Sequence, residues 1–200
     1  MRSTLVLSIA ALAFLPATAS AQDFMKYMKP YEESPADLQI IKQLNEIDAT
    51  ITAHDKEKYD QAVERFRALK PRKALNNIAR SKTPQNRALA VMGYRLLPAK
   101  RIWDELRFML MDSEPMVRRQ CMLYAAEFPQ GITLDGVTMP LSDGSPDVRI
   151  AAIFAVAKVA KKKEDAAALF RKRLKEEKDP NVIGKLKVGF ALLGMPAPED

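Results

Sequence analysis

Apolar residues recur along this chain at three- and four-residue intervals, the period of an amphipathic helix, and prolines punctuate the recurrences. After Ser34, Pro35, Ala36 and Asp37, which read as a capping-box helix start, Leu38, Ile41, Leu44, Ile47 and Ile51 fall on one side of a helix. A second helix is predicted from Glu57 to Leu69. Beyond it, Pro84, Pro115, Pro146 and Pro180 follow one another at intervals of 31, 31 and 34 residues, each opening a stretch with helical apolar spacing. Proline fits a first helical turn because its missing N–H would have had no intrahelical partner there. Thr83, Glu114, Ser145 and Asp179 stand just before these prolines, and three of the four are residue types that cap helices well.

The tenth residue after each proline is Tyr94, Ala125, Val156 or Phe190, and the thirteenth is Leu97, Phe128, Val159 or Leu193, so one buried face repeats. Ahead of three of the prolines lies a further amphipathic segment: Ala74 to Ala79, Ile102 to Met111, and Ala166 to Leu174. Ahead of Pro146 the stretch from Gly131 to Leu141 contains Gly136 and Pro140, so only a short or distorted helix is expected there. No run alternates as a strand would. The pattern predicts an all-α chain of about four helix pairs over residues 71–194, preceded by a helical cap over 34–70 and followed by a tail at 195–200.

Two units share the motif P-x-V-R: Pro115, Val117 and Arg118, then Pro146, Val148 and Arg149, each with an aspartate three residues before the proline, Asp112 and Asp143. This resembles the opening of the second helix of a HEAT repeat. The resemblance implies a right-handed α-solenoid in which Asp112, Arg118, Asp143 and Arg149 form hydrogen-bonded ladders between neighbouring repeats. The flanking units depart from it: the first has Ser81, Asn86 and Arg87 at the matching positions, the last Glu177, Val182 and Ile183. The family serves scaffolding and adaptor roles and, in some members, acts as a lyase, so the resemblance implies fold more strongly than function.

The N-terminus changes the expected address. Arg2, the apolar run Leu5 to Leu15, Pro16 and the triplet Ala19, Ser20, Ala21 read as a signal peptide over 1–21. A membrane span needs roughly 20 apolar residues, more than this run supplies. An exported, bacterial periplasmic chain of residues 22–200 follows, with a flexible N-terminal segment at 22–33. Cys121 is the lone cysteine, so no intramolecular disulfide can form and the fold must stand on packing.

Candidate chemistry is sparse. His54 is the sole histidine and reads as a surface residue; with one cysteine beside it there is no zinc set and no Cys-His or Ser-His-Asp constellation. Cys121 occupies the position of Ala152 in the next unit and reads as a small core residue. Met25 and Met28 have a spacing suited to soft metals, but with Phe24, Tyr27 and Tyr31 they read better as a tail that docks on an apolar surface. Asp135 and Asp143 lack the order of a calcium loop and are explained by turn chemistry. No catalytic residue, cofactor or metal site is assigned.

Net charge is +7. Basic residues fall in the segments between pairs, at Lys70, Arg72 and Lys73, at Lys100 and Arg101, and at Lys161, Lys162 and Lys163, while acidic ones fall within pairs. A solenoid would align these as a basic and an acidic edge. Helix-end electrostatics accounts for part of that separation, since positive charge favours helix C-termini. The expected function is a non-enzymatic periplasmic scaffold or adaptor that recognises another protein or peptide through its helical surface. The alternative is peripheral binding of anionic lipid or another polyanion through the basic edge; nucleic acid is disfavoured by the export signal, and a HEAT-like lyase is the remote third reading.

Overall fold

The computed structural model describes residues 31–97 and 103–198, with backbone alone for Asp104 and Glu105. The expected signal peptide, the segment through Pro30, Lys100 and Arg101 lie outside the described residues. What is described is helical, and its one bridge between extended residues, Tyr31 with Ser81, is isolated. The helices are α1 Pro35–Thr52, α2 Lys56–Ala68, α3 Arg72–Ile78 and α4 Pro84–Arg95. Next come α5 Trp103–Leu106, which runs into a 3-10 turn Arg107–Met111, and α6 Pro115–Glu127. Then follow α7 Asp135–Thr138 with a 3-10 turn Met139–Ser142, α8 Pro146–Val159, α9 Lys163–Glu176 and α10 Pro180–Leu193.

Sequence dictates the starts of these helices. Ser34 caps α1 in a complete capping box with Asp37, and each of the four spaced prolines occupies the first turn of its helix. The caps before those prolines work differently from expectation. Only Asp179 accepts from its own helix, from the N–H groups of Asn181 and Val182; Thr83 and Ser145 make no side-chain cap bond. The loop is instead closed by the side chain three residues before each proline: Asp112 accepts from Glu114 N, Asp143 from Ser145 N, and Ser81 Oγ from Thr83 N.

Packing runs in sequence. α6 lies between α4 and α8, and α8 packs on α10, while α1 covers α3 and α4 with α2 against it. The tenth-residue row Tyr94, Ala125, Val156 and Phe190 is buried, as are Ile41, Leu44 and Ile47 of α1. Leu38 and Ile51, expected on the same buried side, are 54% and 47% exposed. They stand at the two edges of the apolar stripe, whereas Ile40, outside the expected set, turns inward. The segment expected to be a helix from Ile102 to Met111 is one α turn tightened into a 3-10 turn, as is its counterpart ahead of Pro146. The regular helices α6 and α8 therefore carry the middle of the stack.

Gly189 shows how close the final contact is. A Cβ there would stand 2.8 Å from both Ile153 Cγ2 of α8 and Phe170 Cε2 of α9, whereas a Cβ on Gly184, one and a half turns earlier in α10, meets nothing within 4 Å. Alanine is the better helix former by about 1 kcal/mol. Gly184→Ala should raise stability by up to that amount, while Gly189→Ala should lower it by about 1–2 kcal/mol because overpacking outweighs the gain. Urea unfolding of the two variants checks this; equal shifts would remove the close-contact account.

Candidate functional site

The most regular polar feature of the molecule is a ladder of arginines. Arg87 sends Nε and Nη2 to the two carboxylate oxygens of Asp112, both at 2.7 Å. Arg118 does the same to Asp143 at 2.7 and 2.8 Å, and Arg149 to Glu177 at 2.8 and 3.0 Å. In every case the remaining nitrogen, Nη1, donates to the backbone carbonyl six residues earlier: Ser81, Asp112 and Asp143 respectively. Each arginine stands three residues after its proline and each acceptor three residues before the next one. One guanidinium thus pins its own loop and the loop of the following unit with a planar fork that lysine could not reproduce.

The motif residues are therefore paired across units. Asp112 takes its ion pair from Arg87, not from Arg118, which reaches only the Asp112 main chain. Asp143 likewise pairs with Arg118 and not with Arg149. The ladder also takes in Arg87 and Glu177 from the units that depart most from the motif. The first and last rungs are buried, the side chains of Arg87 and Asp112 being 7% and 3% exposed and those of Arg149 and Glu177 10% and 2%, while the middle pair, Arg118 and Asp143, is part-buried.

Burial acts to raise the carboxyl of Asp143, but hydrogen bonds from Arg118 and the Ser145 N–H outweigh it and hold the group below its ordinary range. Glu177 experiences the same opposition. Burial pushes it up, and Arg149, the backbone N–H groups of Asp179 and Lys178, and Arg173 bring it down to about 2. The bond to Asp143 in turn raises Arg118.

At the other end the ladder is closed by a segment that no sequence offset points to. Glu33 accepts from Ser81 Oγ and from Asn86 Nδ2, and Tyr31 N donates to Arg80 O. Tyr31 Oη donates to Asp37 at 2.7 Å and accepts from Asn77 Nδ2 at 3.2 Å. Ser81 and Asn86, the departures from the motif in the first unit, are the side chains that receive this strap.

In α4, α6, α8 and α10 the eighth residue after each proline makes a row in sequence, Met92, Leu123, Phe154 and Val188, that starts in the core and ends at the surface. Met92 is buried, Leu123 and Phe154 are half-buried and Val188 is 41% exposed. Phe154 stands apart from the core cluster. Arg95 spans from α4 to α6 beside the row, with its Nε 2.8 Å from Glu127.

The remaining candidates lie elsewhere. His54 is exposed with φ of 54° at the end of α1, in a shallow depression shared with Tyr59 and Ile51. Cys121 is fully buried, its thiol pushed up by burial and directed at Leu106 O, which leaves it a core residue in a poor position to react. Among the described residues no group of three or more His, Cys, Asp or Glu is arranged to hold a metal ion. Lys70, Arg72 and Lys73 are exposed at the α2–α3 junction and Lys161, Lys162 and Lys163 at the α8–α9 junction, at opposite ends of the packing order. No described helix is long and apolar enough to cross a membrane.

Replacing Arg87 with Met leaves Asp112 as an uncompensated buried charge and should cost about 3–5 kcal/mol, most of it regained in the double variant Arg87→Met/Asp112→Leu. Denaturant titration of the cycle reads this; a double variant no more stable than the single one would show that the rung is not a paired unit. A pH series tests the far rung. Since Glu177 is held at about 2 against an ordinary 4.5, its contribution is whole above about 4.5 and lost as pH falls towards 2. The urea midpoint should drop across that window, and Glu177→Gln should flatten the drop.

No family model, no curated protein and no solved structure matches the chain.

Proposed function

We propose that the helical stack is a right-handed, HEAT-like α-solenoid of four pairs with an N-terminal cap, and that it is an exported scaffold gripping an extended segment of another protein. The observation that carries the reading is the ladder. Three equivalent bidentate bridges at three successive junctions fix each second helix in the same register against the next. A repeated register turns a periodic sequence into a periodic surface. Leu123 and Phe154 then stand at matching positions of neighbouring units, both half-buried, with an aromatic in the later one.

Such a row suits a peptide whose apolar side chains follow one another at the spacing of the helices. Aromatic anchors in a polar surround carry a large share of binding energy at protein interfaces. Export fits the sequence reading of residues 1–21, and a fold held by packing and buried ion pairs stands without disulfides in an oxidising compartment.

The test places a photocrosslinking amino acid at position 154 and, as control, at position 57 on the far end of the stack. In the native compartment the first should give a discrete adduct that Leu123→Asp abolishes, and the second should not. No adduct, or the same adducts from both positions, would sink the proposal. N-terminal sequencing of the exported protein should read from Gln22.

A further inference from the structure

Basic residues are dense in one stretch of the chain: eleven basic and five acidic residues stand between Lys158 and Lys187, a net +6, and Glu199 and Asp200 bring residues 158–200 to a net +4. Two of the acidic residues there, Glu176 and Glu177, are engaged by Arg173, and Glu177 also by Arg149. Helix α10, which begins at the end of this region, has no acidic residue at all.

The open side of α10 is apolar. Val188 and Leu192 are 41% and 49% exposed, and they lie one turn apart, about 40° around the helix. Gly184 and Ala191 extend the stripe on the same side. Lys185 and Lys187, two positions apart, are separated by about 200° and so stand on its two borders. The Lys163 ammonium lies 3.6 Å from the Cβ position of Gly194, which puts it at the C-terminal end of the stripe. An exposed aliphatic stripe is thus bordered by cations.

We propose that this face of α10 is a docking surface for a lipid bilayer that carries anionic headgroups. Aliphatic side chains at the centre of such a face enter the boundary between headgroups and acyl chains, while the exposed Lys185 and Lys163 extend their stems alongside and keep their ammonium groups among the phosphates. The distribution argues against the other occupants. A second copy would bring the same cationic end against itself. Single-stranded nucleic acid is bound on stacking platforms, but the aromatic rings of α9 and α10, Phe170 and Phe190, are fully buried. The surface lies at the end of the stack, and its lipid contact is independent of a peptide held at Leu123 and Phe154.

Flotation of the full chain with vesicles decides it, using phosphatidylcholine alone and with about 30% phosphatidylglycerol. The protein should float with the anionic vesicles and not with the neutral ones, and high salt should weaken the association. Val188→Asp/Leu192→Asp should lower the bound fraction at least about tenfold without moving the melting temperature, since both side chains are already exposed. If that variant melts early, Val188→Ser/Leu192→Ser serves in its place and should give the same loss. Leu123→Asp/Phe154→Asp should float like the parent, which separates failure of the peptide reading from failure of this one. The proposal is overturned if the protein ignores anionic vesicles, if both α10 variants float as well as the parent, or if duplex DNA competes fully.

Discussion

Two positive charges are taken out of water at the junctions of this stack and a third is half-buried, and the whole arrangement depends on each one meeting its carboxylate. A buried ion pair contributes little net stability compared with well-packed apolar residues, but a buried charge without its partner costs several kcal/mol. The difference acts on register. A second helix that slid by one turn against its neighbour would keep much of its apolar contact and lose both forks of the guanidinium. Apolar packing makes α4, α6, α8 and α10 adhere; Arg87, Arg118 and Arg149 determine where they stop.

The sequence made the second helices of the units legible because two independent signals coincide there, a proline that marks the first turn and an apolar period that marks the buried face. The first helices were harder to read. Trp103, Leu106 and Leu110 have helical spacing, but the segment leads directly into the ladder acceptor at Asp112 and tightens into a 3-10 turn. Leu38 and Ile51 sit at the margins of an apolar stripe, where hydrophobicity alone does not separate a core position from a rim position.

The ladder was partly legible. Its donor and acceptor types could be read at fixed offsets from each proline, whereas the identity of each partner could not, because the acceptor of Arg118 lies 25 residues ahead in the next unit. Glu33 could not be read at all: it belongs to no repeat and meets Ser81 and Asn86 only through the fold. The row from Met92 to Val188 was not read from the sequence, since exposure depends on what each helix packs against.

The two ends of the ladder are finished in different chemical terms. At the first junction Ser81 stands where later units have a carboxylate, and Glu33 supplies the missing negative charge from outside the repeat. At the last, Ile183 stands where earlier units have arginine, so no donor is left seeking an acceptor. Beside it, Lys187 occupies the place that Ile153 holds in α8, where that side chain packs towards Gly189.

Between those ends the rungs have a property of inheritance. Each interior unit brings one acceptor, used by the unit before it, and one donor, used by the unit after it. The 31 residues from Asp112 to Ser142 hold both halves, the carboxylate of one bridge and the guanidinium of the next. A tandem duplication of that block would therefore arrive electrically complete: Arg87 would find the first copy's Asp112, the first copy's Arg118 would find the second's Asp112, and the second copy's Arg118 would find Asp143. A fold wired in this way can change its length by copying errors without ever passing through an intermediate that buries an unpaired charge.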